Sequence, residues 1–181
     1  EAASLATGAS LVAADALIDN EVNVAFNAGG GYHHAGPDFA SGFCIFNDLA
    51  IISLSLLASG RVERVLIIDC DVHQGDGTAT ILADVDAAIT VSLHCENNFP
   101  ARKAQSDWDI PLPRGLDDAG YLHTLEQVLN YLLPIYQPDL VLYDAGVDVH
   151  LGDALGHLQL TDDGIAARDR LVIDNCLGRD I

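Results

Sequence analysis

Short apolar runs alternate along this chain with longer stretches whose apolar residues recur at helical spacing. Val65-Leu-Ile-Ile68, Ala88-Ile-Thr-Val-Ser-Leu93 and Asp139-Leu-Val-Leu-Tyr-Asp-Ala145 are rich in β-branched and aromatic residues, which predicts strands. Val22-Asn-Val-Ala-Phe26 predicts a further short strand, and His94 to Pro111 reads as a long loop. Helices are predicted over Ser4–Asp19, Phe46–Ser59, Thr78–Ala83, Asp117–Leu133 and Thr161–Cys176. Asn47 or Asp48 starts the second of these, Gly60 stops it, and the fourth ends ahead of Pro134. Strand and helix in alternation predict an α/β fold: a three-layer, mostly parallel sheet with helices on both faces and right-handed crossovers.

Composition narrows this to one domain over residues 1–181, since half of the chain is apolar and no repeat, linker or low-complexity tract divides it. Cys44, Cys70, Cys95 and Cys176 form no Cys-x-x-Cys pair, so neither a thiolate zinc knuckle nor a disulfide framework is indicated. Net charge is −19 with a single lysine, Lys103, which argues against a nucleic-acid partner and suits a cationic substrate; the same charge equally serves solubility. There is no apolar run of membrane-spanning length, and Glu1-Ala-Ala-Ser-Leu5 lacks a basic signal region, so a cytoplasmic protein without membrane contact is expected.

Chemistry concentrates in Asp69-Cys-Asp71-Val-His73-Gln-Gly-Asp76-Gly, directly after the first apolar run. At the carboxyl end of a parallel strand this segment lies where open α/β sheets build their sites. Alternate residues of extended backbone point the same way, so Asp71 and His73 can grip one divalent ion. The plainer reading of an Asp-x-His is a helix cap or a solvated turn. In a parallel sheet the loops after the strands share one edge, which gathers residues 29–48, 69–77, 94–111 and 146–156. Asp153 can thereby join Asp71 and His73, and three ligands with an open position describe a catalytic metal site.

His33-His34 lies in the glycine-rich segment Gly29-Gly-Gly-Tyr-His33-His34-Ala35. Asp69 and Asp76 are left to orient one histidine each, giving two His–Asp dyads beside a metal, the equipment for moving protons in amide hydrolysis. Read alone, the histidines are polar loop residues. The glycines lack the Gly-x-Gly-x-x-Gly spacing of a nucleotide loop.

Taken together, Gly29-Gly-Gly-Tyr-His33-His34-Ala, Gly42-Phe-Cys-Ile-Phe-Asn-Asp48, Val65 to Gly77, Val91-Ser-Leu-His94 and Gly146-Val-Asp148-Val-His-Leu-Gly-Asp153-Ala-Leu-Gly156 resemble the ordered motifs of zinc-dependent histone deacetylases. They are most similar to the class IV branch and its bacterial members. The resemblance implies an arginase/deacetylase-like fold and a deacylase acting on acetyl-lysine or an acetylated small amine. It implies Asp71, His73 and Asp153 as ligands of zinc, positions that also accept iron(II). It pairs His33 with Asp69 and His34 with Asp76, His34 being the general base and acid. Gly42 and Phe43 match the wall of an acyl-lysine tunnel, with Phe99 opposite, and Asp69, Asp71, His73, Ser92 and Leu93 match a structural potassium site.

The family's tyrosine, in a glycine-rich loop after a further strand, has no counterpart up to Ile181, and the first strand is missing before Glu1. This is the expectation of a fragment truncated at both ends, with impaired turnover, marginal stability and exposed sheet edge. Two other readings stand beside the deacylase: a metal-binding scaffold without catalysis, and an arginase-like dimanganese ureohydrolase. The latter is disfavoured because Gln74 and Gly75 separate His73 from Asp76 where that family has a single residue.

Overall fold

A computed structural model describes residues 1–181. The elements run α1 (Ala2–Ile18), α2 (Asp48–Ala58), β1 (Val65–Asp69), α3 (Asp76–Leu82), β2 (Ala88–Cys95), β3 (Trp108–Leu112), α4 (Asp118–Tyr136), β4 (Leu140–Asp144) and α5 (Asp162–Leu177). All strands are parallel, in the order β3-β2-β1-β4.

β1 lies between two neighbours and is buried from end to end, which explains its unbroken apolar sequence. Its side chains alternate between faces and so serve two separate cores. Leu66 and Ile68 pack in one, with Tyr121, Leu125 and Leu129 of α4 and Val172 of α5. Val65 and Ile67 pack in the other, with Ala14 of α1, Leu49, Ile52 and Leu56 of α2 and Leu82 of α3. Each such aliphatic side chain contributes about 1.5–3 kcal/mol of burial free energy. Three helices start on side-chain caps. Asn47 accepts from Ala50 N–H, Asp117 from Gly120 N–H and Thr161 from Gly164 N–H.

Three expectations are corrected. Val22–Phe26 forms no strand. Its residues Val22, Val24 and Phe26 are exposed, and no ladder partner lies beside it. Conversely, β3 falls within the stretch read as a loop. Asp109 and Pro111 break its apolar pattern, and both are tolerated because β3 is a sheet edge. Finally, α4 does not stop before Pro134 but runs to Tyr136, ending where Gln137, in the left-handed region, donates its N–H to the Leu133 carbonyl. Tyr136 then packs against the α4 core and its hydroxyl accepts from Trp108 Nε1 at 2.8 Å, an anchor for the edge strand.

Register brings the chemistry together. Asp69 of β1 stands opposite Ser92 of β2 on one side and Asp144 of β4 on the other, so the loops that leave these strands start from one level. No helix is long and apolar enough to cross a membrane.

Candidate metal and catalytic centre

The loop after β1 carries Asp71 and His73 into contact with Asp148 from the loop after β4. His73 Nδ1 is 3.0 Å from Asp71 Oδ1 and 3.0 Å from Asp148 Oδ2, and one donor atom from each of the three residues lies within 4.8 Å of the others. One imidazole nitrogen and two carboxylate oxygens are the donor chemistry of a zinc-type site. Burial opposes charge on His73, yet hydrogen bonds to Asp148 and Asp71, with their charges, hold its pKa up at about 9. Burial likewise pushes the Asp148 carboxyl up, aided by the charge of Asp71. For Asp71, burial is outweighed by the His73 hydrogen bond and the charge of His33, which hold its carboxyl below the usual range.

Asp153, expected as the third ligand, is not in this group. It is exposed in the turn beyond, where its Oδ1 accepts from Leu155 N–H at 2.7 Å and its own N–H donates to the His150 carbonyl. Asp148 takes the place expected of it, and the signal that identifies Asp148 is the register. Asp69 and Asp144 are ladder partners, and His73 and Asp148 lie at the same offset beyond them. His150, given no role from the sequence, faces Asp162 at 3.3 Å.

The two histidines each meet a carboxylate. His33 Nδ1 is 2.7 Å from Asp69 Oδ2, and His34 Nδ1 is 2.6 Å from Asp76 Oδ1. Both rings are buried and lie against each other at a tilt of 54°, with centroids 4.0 Å apart. Their loop is built from α2. Asp48 accepts from Gly31 N–H, Tyr32 N–H and Ser10 Oγ, while Asn47 donates to the His33 and Ala35 carbonyls. Gly75 leaves the room that the His33–Asp69 pair needs, since a Cβ there would sit 2.3 Å from Asp69 Oδ2.

Asp144 has no role in the sequence reading, yet its buried carboxyl faces His33 Nδ1 at 3.6 Å and its Oδ2 has no hydrogen-bond partner. Burial, together with the charge of Asp69, pushes its carboxyl well above the usual carboxylate range. For His33, burial is overcome by Asp69, Asp71 and Asp144, and the ring holds its proton well above the ordinary imidazole range. His33, Asp69 and Asp144 form a second cluster of donor atoms. In it His33 Nδ1 is already paired with Asp69 Oδ2, while His33 Nε2 lies 3.7 Å from Asp71 Oδ1.

Phe99 stands edge-on to both His34 and His73, with centroids 4.9 and 6.3 Å away. Gly42 and Phe43 both lie in the left-handed region, at φ 52° and 66°. A Cβ on Gly42 would fall 2.2 Å from His34 Cδ2, so the close approach requires glycine. Phe43 is 97% exposed. Ser92 and Leu93 are buried within β2, Ser92 as the ladder partner of Asp69, with its Oγ 3.0 Å from His94 Nδ1.

Comparison with known proteins follows the same lines. The chain matches the histone deacetylase domain model over residues 1–179. It is 50% identical over 172 residues to an uncharacterised protein of Picosynechococcus, covering 95% of this chain and 57% of that one. Against histone deacetylase 2 of Arabidopsis thaliana identity is 35% over 161 residues, with 87% and 41% of the two chains covered. Among solved structures, the HD domain of HDA15 superposes with a TM-score of 0.85 at 30% identity, covering 98% of this chain and 56% of that one. The chain thus spans about half the length of the relatives it matches. The parallel sheet with helices on both faces is that of the arginase/deacetylase-like fold, and the chain belongs to the histone deacetylase family.

Proposed function

We propose that this chain carries the metal and proton-transfer centre of a zinc-dependent deacylase that hydrolyses the amide of acetyl-lysine or a related acylated amine. The observation that carries this reading is the convergence of Asp71, His73 and Asp148 beside two histidine–aspartate pairs at one edge of a parallel sheet. Asp71, His73 and Asp148 would hold the ion. When bound, zinc supplies Lewis-acid polarisation of the scissile carbonyl and lowers the pKa of water.

The remaining steps belong to the side chains. Asp76 fixes His34 through Nδ1, so His34 Nε2 is the atom that takes a proton from water and returns it to the departing amine. Asp69 fixes His33 in the same manner and leaves its Nε2, 3.7 Å from Asp71 Oδ1, to donate to the carbonyl oxygen as negative charge grows there. Phe99, edge-on to His34, and Gly42-Phe43, whose glycine lies against the same ring, would frame an apolar approach suited to a lysine stem. The acidic surface favours the cationic flanks of such substrates. A structural potassium ion would rest against Asp69, Asp71, His73, Ser92 and Leu93.

The test is metal-dependent release of acetate from acetyl-lysine peptides and from acetylated polyamines. Loading with zinc should give one ion per chain and restore turnover in chelated protein. Two ions per chain with urea release from guanidino substrates would replace this reading with the ureohydrolase. One ion with no hydrolysis of any acylated amine would replace it with the scaffold.

A further inference from the structure

The largest fully buried side chain is Arg168, on α5, with no exposed surface. A buried guanidinium needs acceptors for its five N–H groups and is retained only where they are supplied. Arg168 finds them on the two loops that carry the metal ligands. Its Nη1 donates to the Cys70 carbonyl at 3.2 Å and to the Gly146 carbonyl at 2.6 Å, and its Nη2 to the Ala145 carbonyl at 3.1 Å. Cys70 immediately precedes Asp71, and Ala145-Gly146 lead directly to Asp148.

The aim of the guanidinium is itself fixed. Asp169 Oδ1 accepts from Arg168 Nε at 2.9 Å and lies 2.8 Å from Nη2, while the Tyr143 hydroxyl donates to the same oxygen at 2.6 Å. The guanidinium carbon lies 5.8 Å from the centroid of the Tyr143 ring. The loops it ties are in close contact at the point of attachment, since a Cβ on Gly146 would meet Asp71 Oδ2 at 2.5 Å and Asp71 Cα at 2.6 Å. A shift of the Gly146 carbonyl therefore moves the neighbours of Asp71 as well as the path to Asp148.

We propose that Arg168 is a positioning residue for the metal site: one planar guanidinium pins three carbonyls at the ends of β1 and β4 and so sets the separation between Asp71-His73 and Asp148. This rests on the reading of those three residues as the metal ligands. A fork of fixed geometry does what a lysine cannot, because an ammonium on a flexible stem does not hold three carbonyls on two loops in a fixed relation.

The experiment is zinc titration of the full chain against a chromophoric chelator, for wild type, Arg168→Lys, Arg168→Met, Asp169→Asn and Leu56→Ala. Leu56 is buried in the opposite core, so its variant matches the loss of stability without touching these loops. The expected result is a loss of zinc affinity of about 10- to 100-fold in both Arg168 variants, the range for groups that orient metal ligands, with Lys failing to rescue Met. Asp169→Asn, which keeps the arginine and loosens its aim, should show a smaller loss, and Leu56→Ala should bind as wild type. Folded Arg168 variants that bind zinc like wild type would overturn the proposal, as would equal losses in Leu56→Ala. If neither Arg168 variant folds, Asp169→Asn decides, and an unchanged affinity there counts against the proposal. Failure of wild type to bind zinc would instead sink the metal-site reading itself.

Discussion

Asp148 Oδ2 stands 3.0 Å from His73 Nδ1, joining the loop after β4 to the loop after β1. Asp153, nearby in sequence, is turned into its own loop and spends its carboxylate on Leu155 N–H. Zinc binding should separate the two. Asp148→Ala is expected to lower affinity by more than about 100-fold, beyond the range for outer groups, while Asp153→Ala leaves it within experimental error of wild type. Chelator competition reads both, and the opposite ranking would return Asp153 to the site.

His34 should be separable from the metal. The His34→Ala variant is expected to retain zinc affinity yet lose about 100- to 10,000-fold in kcat on an acetyl-lysine peptide, the span of a lost general acid–base. Asp76→Asn should fall between that variant and wild type, because the ring remains but its tautomer is no longer held by a carboxylate. Steady-state rates at saturating zinc check this; near-wild-type turnover in His34→Ala would reassign the base.

Phe43 combines a left-handed backbone with a side chain in water, so neither packing nor conformation accounts for it through stability. A side chain in this region costs about 1–2 kcal/mol. Glycine removes that cost but returns about 0.4–1 kcal/mol through the looser unfolded chain. The Phe43→Gly variant should therefore gain about 1 kcal/mol, a rise in Tm of about 2–4 °C for a chain of this size. The same variant should raise KM for an acetyl-lysine peptide about 2- to 10-fold, the worth of one aromatic contact. A lowered Tm with unchanged KM would mean that the ring is structural.

Thiol reactivity supplies a pH test. Burial raises the Cys70 thiol to about 12 and Cys176 to about 11. Alkylation near pH 9 should therefore spare Cys70 in the folded chain and label it in denaturant, as peptide mass mapping would record. The sign for stability follows from the raised value: the contribution of Cys70 is complete below the ordinary thiol pKa. It is lost as pH climbs toward 12, because the unfolded chain ionises first. Denaturation should thus become easier across that alkaline window.

Much of this was legible in the chain because burial leaves its mark on composition. β1 is enclosed on both faces and reads as Val65-Leu-Ile-Ile68, and Asn47, Asp117 and Thr161 announce their helices by capping them. The two dyad partners of His33 and His34 follow from one short segment. What stayed hidden depends on neighbours. β3 is a strand because β2 offers it a ladder, despite Pro111, whereas Val22–Phe26 has a strand's composition and no partner. Asp148 is not singled out over Asp153 by the sequence, because spacing along a loop does not reveal which carboxylate returns to the strand end. Asp144 and Arg168 read as ordinary residues of a strand and a helix, and acquire meaning only from what encloses them.

The ladder that pairs Asp69 with Asp144 behaves as a ruler laid across the sheet. Both arms of the candidate metal group are measured from the same mark, so the backbone brings them to one level before any side chain holds them there. The turn around Asp153 falls past the end of that measure. A single residue gained or lost between Asp144 and Asp148 would misalign the two arms, however well each kept its own sequence.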